Sequence, residues 1–352
     1  MLATMLLPIT LILATISPGL ALPNTRVSQG TLYIADQGVG HRSTPIPRWR
    51  TSLRKLNTDG TNPTTLQQFG DPNNLESPIG AYALSYDPLG RQFYLASGQG
   101  IIRTDADGSN PTTILQETNP NVQVVSLVVH GQKLWYGTSY EGLLKRANLD
   151  GSGVETFLNV SLGVVYDYGG SYRPSYSYAA GIAIDDANGF VYWASYSSPE
   201  DLSIHLEHGG SIRRAPLTPN TTTVEVLAQD IWSPGQIRIL NNSTVYWAEA
   251  GPYYSSPRAL KRAYFPAGQT LKPGDIEPDT LLSSDTEPEL LPYEISSFAI
   301  DEDKGKVWVA AKSDAAVMYG RMLEMGLDGS ALRLVNDNVT QIGVPAGVEY
   351  VV

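Results

Sequence analysis

The sequence contains no cysteine. This absence excludes disulfide bonds, cysteine-ligated zinc sites and cysteine nucleophiles from the chemistry of the chain. The fold must therefore be held together by its own apolar core. A chain of 352 residues is long enough for that, because a domain of this size buries roughly three quarters of its unfolded surface.

Positive charge is scarce as well. The chain has 24 Lys and Arg residues against 35 Asp and Glu residues, which gives a formal net charge of −11. An acidic protein repels nucleic-acid phosphates and anionic lipid headgroups. We therefore expect neither nucleic-acid binding nor membrane insertion, and we expect a monomer with neutral or basic partners.

Long apolar runs are missing except at the N-terminus. Residues 1–21 carry no charged side chain and include "MLLPITLILATI", which is too short and too interrupted by proline to span a membrane. Gly19 and Ala21 occupy the positions that a signal peptidase prefers. We predict a signal peptide over residues 1–21, a single secreted domain over residues 22–352, and an extracellular location.

Five N-x-Ser/Thr sequons agree with secretion and predict a glycoprotein. The predicted glycosylation sites are Asn159, Asn220, Asn241, Asn242 and Asn338.

What the sequence does contain is a repeat. Four Asp-Gly pairs stand between strand-like runs, and Asp-Gly favours the tight turn of a β-hairpin because glycine tolerates a positive φ. The four pairs are Asp59-Gly60, Asp107-Gly108, Asp150-Gly151 and Asp328-Gly329.

A short aromatic strand recurs six times, as "LYIAD", "FYLAS", "LWYGT", "VYWAS", "VYWAE" and "VWVAA". Most copies follow another apolar strand and precede a strand with a basic centre, and a fourth strand follows the Asp-Gly turn. Six units of four strands predict an all-β, six-bladed β-propeller. The first copy lacks its leading strand, and the C-terminal "VPAGVEYVV" resembles it, so we predict that the C-terminal strand completes the first blade.

The order of "GIAID", an aromatic pair, a basic strand and "LDGS" resembles the YWTD repeats of low-density-lipoprotein-receptor class B propellers. The resemblance covers residues 30–352 and implies the same six-bladed fold in a stand-alone domain. At the fourth position of the YWTD element only Asp36 keeps the aspartate, which the resemblance identifies as mainly structural. The other copies carry Ser97, Thr138, Ser195, Glu249 and Ala311.

In a propeller, the connections between strands one and two and between strands three and four lie on one face, and the other connections lie on the opposite face. The first set is mostly tight here, whereas we expect the second set to be long nearly everywhere. Long loops on a rigid scaffold are where binding residues concentrate, and tyrosine and tryptophan suit sugar rings and peptide side chains. The predicted ligand-binding residues are Trp49, Tyr166, Tyr168, Tyr172, Tyr176, Tyr178, Tyr196, Trp232, Tyr253, Tyr254 and Tyr293.

These features favour a non-enzymatic binding propeller for an extracellular glycan or protein, without cofactor or metal. The alternative is a secreted propeller hydrolase or lyase, lactonase-like or active on polysaccharides, that uses carboxylates at the channel mouth with or without a metal. Its candidate residues are Asp36, Glu249, Glu294, His205 and His208.

Overall fold

The computed structural model describes residues 30–37, 51–69, 80–161, 165–168, 171–174, 176–198, 210–218, 221–231, 233–240, 243–249, 258–291, 294–312, 320–337 and 345–352. For residues 165–168, 171–174, 176–177 and 197–198, only the backbone is described. Within these ranges, no helix has the length and apolarity needed to cross a membrane.

The strands follow one another in six sets. Blade 1 contains β1 (Thr31–Asp36), β2 (Ser52–Asn57) and β3 (Thr64–Gln68). Blade 2 contains β4 (Ala83–Asp87), β5 (Gln92–Ser97), β6 (Gly100–Asp105) and β7 (Thr112–Gln116). Blade 3 contains β8 (Val124–His130), β9 (Lys133–Thr138), β10 (Leu143–Asn148) and β11 (Glu155–Asn159).

A hairpin of β12 (Val165–Tyr168) and β13 (Ser171–Pro174) separates blades 3 and 4. Blade 4 contains β14 (Tyr176–Asp185), β15 (Phe190–Ser198), β16 (Gly210–Pro216) and β17 (Glu225–Ile231). Blade 5 contains β18 (Pro234–Leu240), β19 (Thr244–Glu249), β20 (Ala259–Tyr264) and β21 (Asp279–Ser283). Blade 6 contains β22 (Glu294–Asp301), β23 (Lys306–Lys312), β24 (Gly320–Gly326) and β25 (Arg333–Asn336), and β26 (Pro345–Val351) ends the chain.

The last strand closes the ring as the sequence predicts. β26 pairs antiparallel with β1, from Thr31 opposite Val351 to Asp36 opposite Pro345, so that blade 1 has the strand order β26-β1-β2-β3. Closure gives blade 1 the innermost strand that each of the other blades already has, and a closed ring of blades leaves only short, protected strand edges. The predicted all-β, six-bladed propeller of four-stranded blades is confirmed.

In the part of the chain that the structure describes, the apolar core forms six clusters, and each cluster lies between two neighbouring blades. The aromatic strands supply many of the largest fully buried side chains, including Trp193, Trp247 and Tyr94. Each blade therefore has two buried faces, which explains why the second strand of every copy is almost entirely apolar. A chain without cysteine can be held closed in this way because every interface contributes apolar burial.

The Asp-Gly turns join neighbouring blades at one face. In the second blade, the N–H of Ser109 donates to Asp107 Oδ1 at 2.8 Å, while Gly108 adopts a φ of 86°. A Cβ at Gly108 would lie 2.8 Å from the Cβ of Leu66 in blade 1. Glycine is therefore needed here for two reasons, namely the positive φ of the turn and the close approach of the neighbouring blade. We call this side of the ring the turn face and the opposite side the loop face.

Every inner strand carries a β-bulge near its loop-face end. The register shifts at this point in five blades, and in blade 2 the N–H of Tyr82 donates to Ala96 O at 2.9 Å beside the Ala83–Ala96 pair. A bulge leaves one residue outside the ladder and redirects its side chain. The bulged residues are Tyr82, Val125, Ala180, Gly235, Ser296 and Ala346.

Candidate binding site at the loop face

A cleft of about 450 Å³ opens at the loop face, above the inner strands of blades 2, 3 and 4. Its described lining comprises three tyrosines, two amides, a serine and two small apolar residues, and none of these is charged. The lining residues are Tyr82, Asn121, Gln123, Val125, Ser139, Tyr140, Tyr178 and Ala180.

Two local features of the backbone create this cleft. Three of its lining residues, Tyr82, Val125 and Ala180, are the bulged residues of their blades and therefore turn toward the channel mouth. Ser139 and Tyr140 come from the turn between β9 and β10. The N–H of Ser139 donates to the carbonyl of Gln123 at 2.9 Å, which fixes the turn against the start of β8.

The expectation of long connections between strands two and three nearly everywhere is wrong for blades 2 and 3. Only Gly98 and Gln99 separate β5 from β6, and residues 139–142 separate β9 from β10. The cleft lies next to these short connections, and the one between β9 and β10 supplies Ser139 and Tyr140 to its lining.

Tyr178 forms the blade 4 side of the cleft. Its ring stacks on Tyr196 with centroids 4.9 Å apart and planes inclined at 29°. Burial raises the pKa of Tyr178 well above its usual value, and the nearby Tyr196, Tyr82 and Glu294 add to the shift. Burial also raises the pKa of Tyr82. Both phenols therefore stay neutral and keep a hydroxyl that can donate or accept a hydrogen bond.

The aromatic residues predicted from sequence are only partly described. Tyr178 and Tyr196 are brought together at the cleft, and the binding role of the group stays a prediction. The backbone places four others in or next to the extra hairpin, namely Tyr166, Tyr168, Tyr172 and Tyr176. Five lie outside the described residues, namely Trp49, Trp232, Tyr253, Tyr254 and Tyr293.

Sequence reasoning did not select Tyr82 and Tyr140. Tyr82 stands at the start of an inner strand, and its neighbour Ala83 begins β4. Tyr140 is 40 % exposed and adopts a φ of 65°, a conformation that is uncommon for a bulky residue. A tyrosine at the bulge position, next to a short connection, is the signal that could have identified this cleft.

The candidate carboxylates of the alternative, hydrolytic function each contact a basic side chain of their own blade. Asp36 Oδ2 lies 3.0 Å from Arg54 Nε, and Glu294 Oε1 lies 2.7 Å from Lys312 Nζ. Glu249 accepts a hydrogen bond from Trp247 Nε1 at 2.9 Å and forms an ion pair at 3.2 Å with the lysine opposite that tryptophan, Lys261. These three carboxylates lie in three different blades, at the ends of β1 and β19 and at the start of β22.

The two histidines of that alternative, His205 and His208, lie outside the described residues. Among the residues that are described, no group of three or more acidic or histidine side chains is arranged to hold a metal ion.

An ion pair joins the inner strands of blades 5 and 1 in the central channel. Arg238 of blade 5 reaches across to blade 1, where its Nη2 lies 2.7 Å from Glu349 Oε1 and 3.2 Å from Val348 O. A cavity of about 90 Å³ lies between the inner strands, and Arg238 forms part of its lining. Burial raises the pKa of Glu349, and the guanidinium of Arg238 opposes this shift.

One predicted glycosylation site is described. Asn159 ends the outermost strand of blade 3 and is exposed, and its Oδ1 accepts the N–H of Ser161 at 2.9 Å. The other four sequon asparagines and the predicted signal peptide over residues 1–21 lie outside the described residues. Glycosylation and the leader remain predictions.

Comparison with known proteins agrees with this architecture. The chain is 30% identical over 118 residues to a Pyricularia oryzae protein named low-density lipoprotein receptor-related protein 1, a match that spans 33% of this chain and 36% of that relative. The solved nidogen/laminin complex contains a chain that matches with a TM-score of 0.61 and 14% identity, over 92% of this chain and 98% of that chain. The predicted resemblance to YWTD-type propellers is confirmed. No protein-family model matches the chain.

More remote structures share the propeller fold. A putative TolB from Agrobacterium tumefaciens matches this propeller with a TM-score of 0.52 and 11% identity, over 92% of this chain and 98% of that chain. A calcium-binding protein, regucalcin, from the same organism matches with a TM-score of 0.50 and 13% identity, over 73% of this chain and 74% of that one. At these identities the likeness concerns the fold alone.

Proposed function

We propose that this propeller is a secreted binding protein that recognises a glycan or a protein through the cleft on its loop face. The observation that carries the proposal is the tyrosine-lined cleft on the loop face, whose described lining is uncharged. Its volume of about 450 Å³ lies in the range of pockets that hold small ligands or single side chains.

The chemistry of the lining fits a neutral ligand. Tyr82, Tyr140 and Tyr178 offer flat apolar area with hydroxyl tips, and such rings pack against sugar rings and against peptide side chains. Asn121 and Gln123 supply amide donors and acceptors for hydroxyl groups or for a peptide backbone. The net charge of −11 disfavours strongly anionic partners such as nucleic acids.

The comparisons support a binding role without naming the ligand. The nidogen chain that shares this fold was solved in a complex with laminin, so a protein partner is one class to test. The described carboxylates also support binding over hydrolysis, because each is held by a basic neighbour of its own blade.

Alanine at Tyr178 and asparagine at Tyr140 test the cleft. Asparagine tolerates the positive φ of Tyr140, so this variant removes the ring with little backbone strain. Tyr264 is the matched control, because it is 54% exposed and ends β20 on the turn face. The purified protein is screened against immobilised neutral polysaccharides and extracellular-matrix proteins, and the variants are measured on the ligand that binds best.

We expect Tyr178→Ala and Tyr140→Asn each to weaken binding about tenfold or more, because each removes roughly 1–3 kcal/mol of contact. Tyr264→Ala should leave binding unchanged. Equal losses in all three variants, or a loss only in Tyr264→Ala, would place the ligand elsewhere. Secretion is tested separately by N-terminal sequencing of the exported protein, which should begin at Leu22.

A further inference from the structure

Two blades hold a carboxylate at the end of their second strand, each in a similar setting. In blade 1, Asp36 pairs with Arg54, which stands opposite Ile34 on the neighbouring strand. In blade 5, Glu249 accepts the indole N–H of Trp247 at 2.9 Å and pairs with Lys261, which stands opposite that tryptophan. In both blades the acid at this position neutralises a basic side chain that is at least partly buried. In blade 5 it also accepts the hydrogen bond of a buried indole N–H.

Blade 4 repeats the arrangement without the acid. Trp193 stands opposite Arg213, and Ser195 stands opposite Ser211, in the same register as the corresponding pairs of blades 1 and 5. Ser195 occupies the position of the missing carboxylate. Blade 4 therefore has a tryptophan at the position of Trp247 in blade 5 and an arginine at the position of Arg54 in blade 1.

In blade 4, the described residues provide no acceptor for the buried indole N–H and hydroxyl groups at this position. Trp193 is 1% exposed and Ser195 is fully buried. Among the residues that the structure describes, neither Trp193 Nε1 nor Ser195 Oγ has a hydrogen-bond partner. A buried donor without an acceptor costs about 1–3 kcal/mol, and Trp247, its counterpart in blade 5, has one in Glu249.

The arginine keeps the pose that holds a carboxylate elsewhere in the ring. Arg213 Nε donates to Ser211 Oγ at 2.8 Å, just as Arg54 Nε donates to Ser52 Oγ at 3.0 Å while also contacting an aspartate. Within the described ranges, Arg213 forms no ion pair with an acid. Burial lowers the pKa of its guanidinium, which is the effect expected of a desolvated cation without a counter-charge.

We propose that blade 4 binds a carboxylate group of a ligand between Trp193, Ser195 and Arg213. The ligand's carboxylate would accept the indole N–H, as in blade 5, and the guanidinium N–H groups, as in blade 1. Charge-assisted hydrogen bonds of this kind are the strong ones in proteins. Ser195 directly precedes Tyr196, so this anion site lies at the loop-face end of blade 4, and it does not depend on the function proposed for the cleft.

The indole N–H resonances of tryptophan provide a direct test. The chain has 6 tryptophans, so protein labelled with ¹⁵N at the indole nitrogens gives a small spectrum in which Trp193→Phe assigns the signal of interest. Sodium acetate is titrated against sodium chloride at matched ionic strength. We expect the Trp193 signal to shift saturably with acetate alone, while the Trp247 signal, whose acceptor is fixed, stays in place.

Two variants separate the site from a non-specific effect. Arg213→Gln should weaken the acetate response roughly tenfold or more, because it removes the charged partner. Ser195→Asp should supply the carboxylate from within the chain, move the Trp193 signal without acetate, and abolish the titration. The unchanged Trp247 signal reports that each variant is folded.

Three results would overturn the proposal. The first is a Trp193 signal that acetate does not move, and the second is an acetate response that Arg213→Gln leaves unchanged. The third would show that an acid of this chain fills the site. In that case the wild-type Trp193 signal would already match that of Ser195→Asp. It would also shift when the acidic residues of the sequence between β15 and β16, Glu200, Asp201 and Glu207, are replaced by their amides.

Discussion

Replacing Arg238 by methionine is expected to destabilise the ring strongly at neutral pH and less strongly at acidic pH. The side chains of Arg238 and Glu349 are only 21% and 14% exposed, and their charged atoms are 2.7 Å apart. Removing one partner of a buried pair costs about 3–5 kcal/mol because the other charge stays buried. With the residual exposure, we expect a loss of about 2–4 kcal/mol in the free energy of unfolding at pH 7.5.

The pH dependence follows from the remaining carboxylate. Burial already raises the folded-state pKa of Glu349, and the guanidinium of Arg238 opposes that shift. Without Arg238 the folded-state pKa should rise further above the unfolded value of about 4.3. The folded protein then binds a proton more readily than the unfolded chain. The penalty is therefore full above the folded-state pKa and decreases as the pH falls through it.

Urea unfolding at pH 7.5 and pH 5, followed by tryptophan fluorescence, measures both effects. The matched control is the double variant Arg238→Met/Glu349→Gln, in which both charges of the pair are removed. We expect the double variant to recover most of the loss at pH 7.5 and to show no extra pH dependence. A loss below about 1 kcal/mol, or an equal loss at both pH values, would contradict a buried ion pair in the channel.

Two further predictions concern the blade interfaces and the predicted glycan. Gly108→Ala should lower the free energy of unfolding by about 2–4 kcal/mol and Gly131→Ala by about 1 kcal/mol. Both glycines have a positive φ, but only Gly108 lies against a neighbouring blade, and equal losses by urea unfolding would refute the role of close approach. Asn159→Gln should reduce the mass of the protein secreted by a eukaryotic host by one N-linked glycan, and an unchanged mass would show that this sequon is not used.

The architecture could be read from the sequence because it is repeated locally. Six aromatic strands and four Asp-Gly turns recur along the chain, and each copy indicates the same four-stranded blade. The closing strand could also be predicted, because "VPAGVEYVV" supplies the strand that the first copy lacks. Closure pairs Thr31 with Val351. This long-range contact is predictable because the first copy needs a strand from elsewhere in the chain to complete its blade.

The candidate site could be predicted only in part, because it depends on contacts between different blades. Long connections predict that ligands bind at the loop face. The cleft on that face, however, lies next to two short connections and is lined by bulged residues of the inner strands. Arg238 and Glu349 are 111 residues apart, and no local pattern links them. The replacement of the acid by Ser195 was visible in the repeats, but its consequence for Trp193 required the register of the two neighbouring strands.

Hydrogen–deuterium exchange tests the central claim most directly, namely that the loop-face cleft is where this propeller binds its ligand. The protein is compared with and without the polysaccharide or matrix protein that binds best in the screen. We predict slower exchange in the segments that line the cleft, around residues 121–125, 138–142 and 178–182. Protection confined to the four Asp-Gly turns on the opposite face would contradict the account.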